Sequence, residues 1–119
     1  MNIKKLTQGL SYSGEVEGKK QTYYIFAGGE FYLVMSFSAT KPGAGNFNIV
    51  ERDAVDYVLK RIAGLKGITS ADVVEKAKKT RHAPTSLAAL NILYVLVAMG
   101  HAKVDGRRVG QALYFNVKG

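Results

Sequence analysis

Residues 67–100 read GITSADVVEKAKKTRHAPTSLAALNILYVLVAMG and decide the fold of this chain. The segment opens with Thr69, whose hydroxyl is placed to cap a short helix, and Asp72 follows as a carboxylate near the helix N-terminus. Pro84 then suits the first turn of a longer helix that runs to about Met99. The segment therefore predicts a short helix, a basic turn and a long apolar helix.

Another helix is predicted just before this segment, because the apolar residues recur about every three and a half positions. Asp53 lies in its first turn, Lys60 and Arg61 lie in its last, and Gly64 follows as a stop. Its apolar stripe consists of Ala54, Val55, Val58, Leu59 and Ile62. After the long helix, residues 101–105 and 111–117 are predicted as two strands around a basic tip, so the chain ends in a hairpin.

The N-terminal part has a different periodicity, in which aromatic and β-branched residues alternate between glycine-bearing turns. Residues 10–17, 21–27 and 30–39 are predicted as strands. The breaks between them are short enough for hairpins, so we expect a three-stranded antiparallel meander. A glycine-rich connector over residues 40–46 follows. The fold class is α+β, with an N-terminal meander in residues 1–47 and a helical unit with a hairpin in residues 48–119.

The helical unit resembles the winged helix-turn-helix superfamily over roughly residues 53–117. The similar pieces are ITSADVV at 68–74, and Leu93, Leu96 and Gly100 leading into AKV at 102–104. The resemblance implies three helices plus a β-hairpin wing, with the third helix in the major groove and the wing on the DNA backbone or in the minor groove. A weaker likeness, in SLA at 86–88 and QALY at 111–114, is to winged-helix proteins of the small ribosomal subunit.

The charge of the chain favours a polyanionic partner. Seventeen Lys and Arg against nine Asp and Glu leave a net charge of +8. Residues 1–65 carry eight basic and six acidic side chains, whereas residues 66–119 carry nine and three, so the excess is +2 in the first part and +6 in the second. Nucleic acid is the natural partner for such a surface, and DNA is favoured over RNA by the winged-helix resemblance.

Basic side chains cluster on both sides of the third helix, at its N-terminal turn and on the wing. Helix N-termini and hydroxyls at that turn also suit phosphate oxygens. The candidate nucleic-acid contacts are Lys76, Lys78, Lys79, Arg81, His82, Thr85, Ser86, Asn91, Lys103, Arg107 and Arg108. We expect replacement of both wing arginines by alanine to weaken binding to all sequences equally and to lower the salt slope by roughly one to two units.

The third helix is apolar on nearly its whole circumference, which limits what it can read. Asn91 is the one side chain of its outer arc that could pair with a base edge, and a buried, hydrogen-bonded amide is the alternative interpretation. A helix of this kind is covered on more than one side, either by the N-terminal sheet or by a second copy of the chain. We expect a two-fold dimer through the third helix or the outer face of the sheet.

Catalytic and cofactor sites are not predicted. The glycines at 14–18 and 43–45 lack the spacing of phosphate-binding or dinucleotide-binding motifs. His82 and His101 are the only imidazoles, too few for a metal site, and the chain has no cysteine. We therefore expect no enzyme, no metal and no cofactor. The longest apolar run is too short for a membrane span, and a cysteine-free chain without a signal peptide suits the cytoplasm.

The hypothesis from sequence is a small regulator or accessory factor that binds double-stranded DNA through phosphate contacts. Two alternatives stay open. One is a protein-interaction module that uses the apolar third helix or the aromatic sheet, and the other is an RNA-binding or ribosomal winged-helix protein. The aromatic sheet could also stack unpaired bases.

Overall fold

A computed structural model describes residues 9–18, 21–37, 45–77, 81–105 and 113–119 of the chain. The N-terminal strands are β1 (Ser11–Glu17), β2 (Thr22–Ala27), β3 (Phe31–Phe37) and β4 (Gly45–Glu51). The helices are α1 (Arg52–Ile62), α2 (Ser70–Lys76) and α3 (Ser86–Ala98), and the chain ends with β5 (Ala102–Val104) and β6 (Phe115–Val117). The α+β class, the first three strands and the three helices are confirmed.

The N-terminal sheet has four antiparallel strands in the order β1-β2-β3-β4, so the predicted three-stranded meander was wrong by one strand. β4 includes part of the segment that we assigned to a connector. Its residues alternate, with Phe47 and Ile49 on one face and Asn46 and Asn48 on the other, which is the period of a strand. The predicted boundary after residue 47 falls inside β4.

Helix α2 begins with the capping arrangement that the sequence predicted. The Thr69 side chain accepts a hydrogen bond from the Asp72 backbone N–H, and the Asp72 carboxylate accepts one from the Thr69 N–H at 2.9 Å. Helix α3 differs slightly from expectation, because Thr85 is its N-cap and Pro84 lies one residue before the cap. Proline is tolerated there because that position needs no helical N–H bond.

Removal of this cap gives the first testable prediction. We expect Thr69→Ala to lower the free energy of unfolding by about 1 kcal/mol, because the first turn of α2 loses a hydrogen-bond acceptor. Urea denaturation measures the change. Ser70→Ala, one residue further into the same helix, is the matched control and should leave stability nearly unchanged, since Ser70 is not the cap. Equal losses in the two variants would contradict a capping role for Thr69.

Helix α3 lies at the centre of the molecule, between the sheet and the other two helices. It contacts all four strands of the sheet as well as α1, α2 and β5. The ring of Tyr94 stacks on that of Tyr23 in β2, with centroids 4.3 Å apart. Burial, and secondarily the neighbouring Tyr23, raise the pKa of Tyr94 well above its ordinary value, so this hydroxyl stays protonated at physiological pH. One hydrophobic core therefore joins the sheet to the helices.

The terminal strands β5 and β6 pair with each other, and the segment between α1 and α2 joins them through one residue. The Ile68 N–H donates to the Phe115 carbonyl at 3.0 Å, and the Phe115 N–H donates to the Ile68 carbonyl at 2.8 Å. Residues 106–112, which include the predicted wing tip, lie outside the described residues. Within the described part of the chain, no helix has the length and apolar character to cross a membrane.

Candidate nucleic-acid interface

The start of α3 is an exposed helix N-terminus beside a basic turn. Thr85 has extended backbone angles, and its hydroxyl accepts a hydrogen bond from the Ala88 N–H at 3.1 Å. Thr85 and Ser86 are both exposed, as is Arg81 in the preceding turn. The unpaired N–H groups of the first helical turn carry partial positive charge. This end of the helix therefore offers donors and one guanidinium to an anion.

An aromatic column connects this turn to α1. The guanidinium carbon of Arg61 lies 4.4 Å from the centre of the Tyr57 ring, and the Tyr57 ring lies 4.8 Å from the ring of His82. Tyr57 and Arg61 are four residues apart, so they occupy the same face of α1. The stacked guanidinium is held in place while its N–H groups keep their capacity for phosphate oxygens.

Neither Tyr57 nor Arg61 was predicted as a nucleic-acid contact. Their spacing of four residues on a helix was available as a signal for a local pair. The contact of Tyr57 with His82, in contrast, joins parts of the chain 25 positions apart and arises only when α1 packs beside the turn before α3.

An open hollow of about 670 Å³ lies between β4 and the start of α3. Its polar lining includes Asn48, Glu51, Arg81, His82 and Thr85, and its apolar lining includes Ile49, Leu87 and Ile92. The predicted residues Arg81, His82 and Thr85 thus meet around one concavity. The lining is mixed, with the apolar Ile92 inside and the exposed Arg81 and Thr85 at the surface, so phosphate contacts are expected at the rim.

The remaining predicted contacts lie in different places. Lys76 is exposed at the last residue of α2, and Lys103 is exposed on β5, which begins beyond the far end of α3. Because α3 is 13 residues long, its two ends are separated by about 20 Å. Lys103 is therefore not part of the cluster at the start of α3. Lys78, Lys79, Arg107 and Arg108 lie outside the described residues.

Asn91 is buried, which contradicts the predicted contact with a base edge. Its side chain is 5% exposed, and its Nδ2 donates to the Leu87 carbonyl at 3.1 Å. The alternative interpretation from the sequence, a buried and hydrogen-bonded amide, therefore applies to Asn91. All residues from Asn91 to Leu96 are buried, because the sheet covers the arc of α3 that the superfamily resemblance assigned to the groove. That arc is equally unavailable as a surface for dimerisation.

The outer face of the sheet is aromatic but carries the wrong charge for nucleic acid. Cross-strand pairing places Tyr12, Phe26, Leu33 and Ile49 on the face away from α3. Three exposed carboxylates lie on this face, and the described part of the four strands contains no lysine or arginine. The carboxylates belong to Glu15, Glu17 and Glu51. Like charge repels a phosphate backbone, so stacking of unpaired bases on this face is disfavoured.

Among the described residues, no group of three or more His, Asp or Glu side chains could hold a metal ion.

No family profile matches the sequence, and searches of curated proteins and of solved structures find no significant match. Inference about function therefore rests on the geometry of the chain.

Proposed function

We propose that this protein binds nucleic acid, with duplex DNA as the preferred form, through contacts to the phosphate backbone. The carrying observation is the basic surface formed by Arg61, Tyr57, His82, Arg81 and the exposed start of α3. Its guanidinium groups and helical N–H groups come from α1, the turn and α3, so they span a rim rather than a single point. Such contacts position a protein on a duplex without reading its sequence.

The order of elements supports a winged-helix interpretation of residues 52–117. Three helices precede a pair of strands, and Ile68, between the first two helices, pairs with Phe115 of the last strand. Three helices followed by a terminal hairpin are what the superfamily resemblance implies, and the single bridge at Ile68 ties this hairpin to the helices. The burial of α3 beneath the sheet departs from the usual docking of the third helix in the major groove.

This departure decides the mode of binding that we propose. Helix α3 is enclosed by the sheet on one side and by α1 and α2 on the other. Its middle therefore cannot enter the major groove of DNA, which is about 12 Å wide. Its N-terminal turn and the turn before it reach solvent beside the basic side chains, whereas the middle of the helix is buried. The protein then acts as a DNA-associated accessory factor or a regulator of low sequence specificity, and the absence of cysteine agrees with a cytoplasmic location.

Fluorescence anisotropy with labelled duplex DNA, single-stranded DNA and structured RNA tests the proposal. We expect the duplex to bind most tightly, unrelated duplex sequences to bind within a few fold of one another, and affinity to fall steeply as salt rises. Arg81→Ala should weaken binding to every sequence and lower the slope of log affinity against log salt by about one unit.

Lys103→Ala is the matched control for this experiment. Lys103 is also exposed, but it lies on β5, which begins beyond the C-terminal end of α3, whereas Arg81 precedes the N-terminal end of the same helix. The control removes one positive charge and should leave the salt slope unchanged. Binding that is insensitive to salt, or an equal effect of the two variants, would contradict a localised phosphate interface.

A further inference from the structure

The two edges of the N-terminal sheet differ in their protection against pairing. β1 has a register shift between Tyr12 and Gly14 and carries Glu15 and Glu17, and both features discourage a further strand. β4 pairs with β3 in unbroken register over its seven residues and carries no charge from Gly45 to Val50. Among the described residues, no strand pairs with the other side of β4. This edge is therefore suited to accept a strand.

Apolar side chains collect along the same edge. Phe47 is 46% exposed, Ile49 is 63% exposed, and Leu87 is 62% exposed on the opposite wall of the hollow. They are three of the five large apolar side chains that the described residues expose. An apolar edge of this kind, beside a concavity, indicates a surface that is covered in an assembly.

We propose that β4 pairs antiparallel with β4 of a second copy of this chain, about a two-fold axis at Asn48. The phase of the backbone hydrogen bonds sets this register. The Arg52 N–H donates to the Glu30 carbonyl at 2.9 Å, so in the alternating antiparallel pattern Asn46, Asn48 and Val50 direct their backbone groups to β3. The backbone groups of Gly45, Phe47, Ile49 and Glu51 face outward and are available to a partner strand.

The sequence of β4 is complementary to itself in this register. Phe47 lies opposite Ile49 of the second copy, and Ile49 opposite Phe47, which gives two aromatic–β-branched pairs on the outer face. Asn48 faces its own counterpart, and Glu51 faces Gly45, which has no side chain. No like charges meet, and every residue of β4 is paired. The two sheets join into one, with a closed two-fold interface.

The hollow beside β4 accommodates the inward side chains of the added strand. Asn48 and Val50 of β4 line this hollow, so the side chains of the paired strand on the same face point over it. Asn46 of the second copy then lies opposite Val50, near the end of the hollow formed by Glu51 and Ala54. The added strand also lies next to the exposed Leu87. Each copy thus covers apolar surface of the other.

Disulfide trapping tests both the pairing and its register, because the chain has no cysteine of its own. In the proposed dimer the Cα atoms of the two Asn48 residues form a pair without hydrogen bonds, about 4.5 Å apart. That distance lies within the range that a disulfide spans. Asn48→Cys should therefore crosslink nearly completely under mild oxidation.

Asn46→Cys is the matched control on the same strand and face. Its two copies are offset by four residues along the strand, or about 13 Å, which a disulfide cannot bridge. This variant should stay uncrosslinked under the same conditions. Equal crosslinking of the two variants, or none in Asn48→Cys, would overturn the proposed register.

Sedimentation equilibrium at micromolar concentration tests the association without an introduced cysteine. The unmodified chain should show twice its 12.9 kDa mass, and Ile49→Lys should return it to the monomer mass, because a charge replaces an apolar pair at the interface. Tyr12→Lys, at the other edge of the sheet, should remain dimeric. A monomer mass for the unmodified chain would overturn the proposal. The result is independent of nucleic-acid binding, which Arg81→Ala tests separately.

Discussion

Leu93→Ala is expected to lower the free energy of unfolding by about 3 to 5 kcal/mol. Leu93 is completely buried on α3, where the sheet and the other helices meet. Truncation removes apolar contacts and leaves a cavity. The sheet and the helices around it are too tightly packed to move in and fill it. Since domains of this size are stable by about 5 to 15 kcal/mol, the loss is a large part of the total.

Leu87→Ala provides a control with the same chemical change on the same helix. Leu87 is 62% exposed in the single chain and would be only partly covered by the paired strand, so its truncation should cost about 1 kcal/mol or less. Urea denaturation at one fixed protein concentration measures both variants, because an oligomeric protein gains stability with concentration. Similar losses in the two variants would contradict the central position of α3.

Gly14→Ala is expected to destabilise the protein by roughly 1 to 3 kcal/mol. Gly14 has a φ angle of 145°, at the register shift of β1, and a Cβ there would lie 3.4 Å from the Cβ of Ala98. The substitution therefore places a side chain on a backbone conformation that residues other than glycine rarely adopt, at a point where β1 packs against α3.

Gly29→Ala is the matched control for the glycine at the bulge. Gly29 lies in the turn before β3, and a Cβ at this position would meet no atom within 4 Å. We expect no loss of stability, and a small gain is consistent with the lower entropy of the unfolded chain. Thermal unfolding followed by circular dichroism compares the two variants. If Gly14→Ala leaves the unfolding temperature unchanged, the prediction is wrong, and β1 can move away from α3 at no cost in stability.

The helices were predictable because their signals are local. The stripe of α1 and the pairing of Thr69 with Asp72 depend on residues a few positions apart, and hydrogen bonds and burial in the structure follow them. Strand β4 was missed because its polar residues, Asn46 and Asn48, resemble a connector when the segment is taken alone. Its alternation becomes meaningful only beside β3, which supplies the hydrogen bonds.

The candidate interface was less predictable than the fold. Sequence located Arg81, His82 and Thr85, which the structure gathers around one hollow. It could not show that α3 is enclosed, because the arc bearing Asn91 is covered by strands that lie 40 or more positions earlier in the chain. The apolar composition of α3 did predict that other parts of the protein cover it, since a helix that is apolar all round is buried. Only the tertiary contacts show that the N-terminal sheet is the covering surface.

No loop separates the last residue of β4, Glu51, from the first residue of α1, Arg52. The Arg52 guanidinium also donates to the carbonyls of Gly28 and Gly29, which clamps the turn between β2 and β3 to the start of this helix. Strand β4 and helix α1 are therefore held at a fixed angle to each other. The free edge for pairing belongs to β4, and Arg61 belongs to α1. If two copies pair through β4 as proposed, the twist of the joined sheet fixes the separation of their two cationic surfaces, because no flexible loop links the strand to the helix.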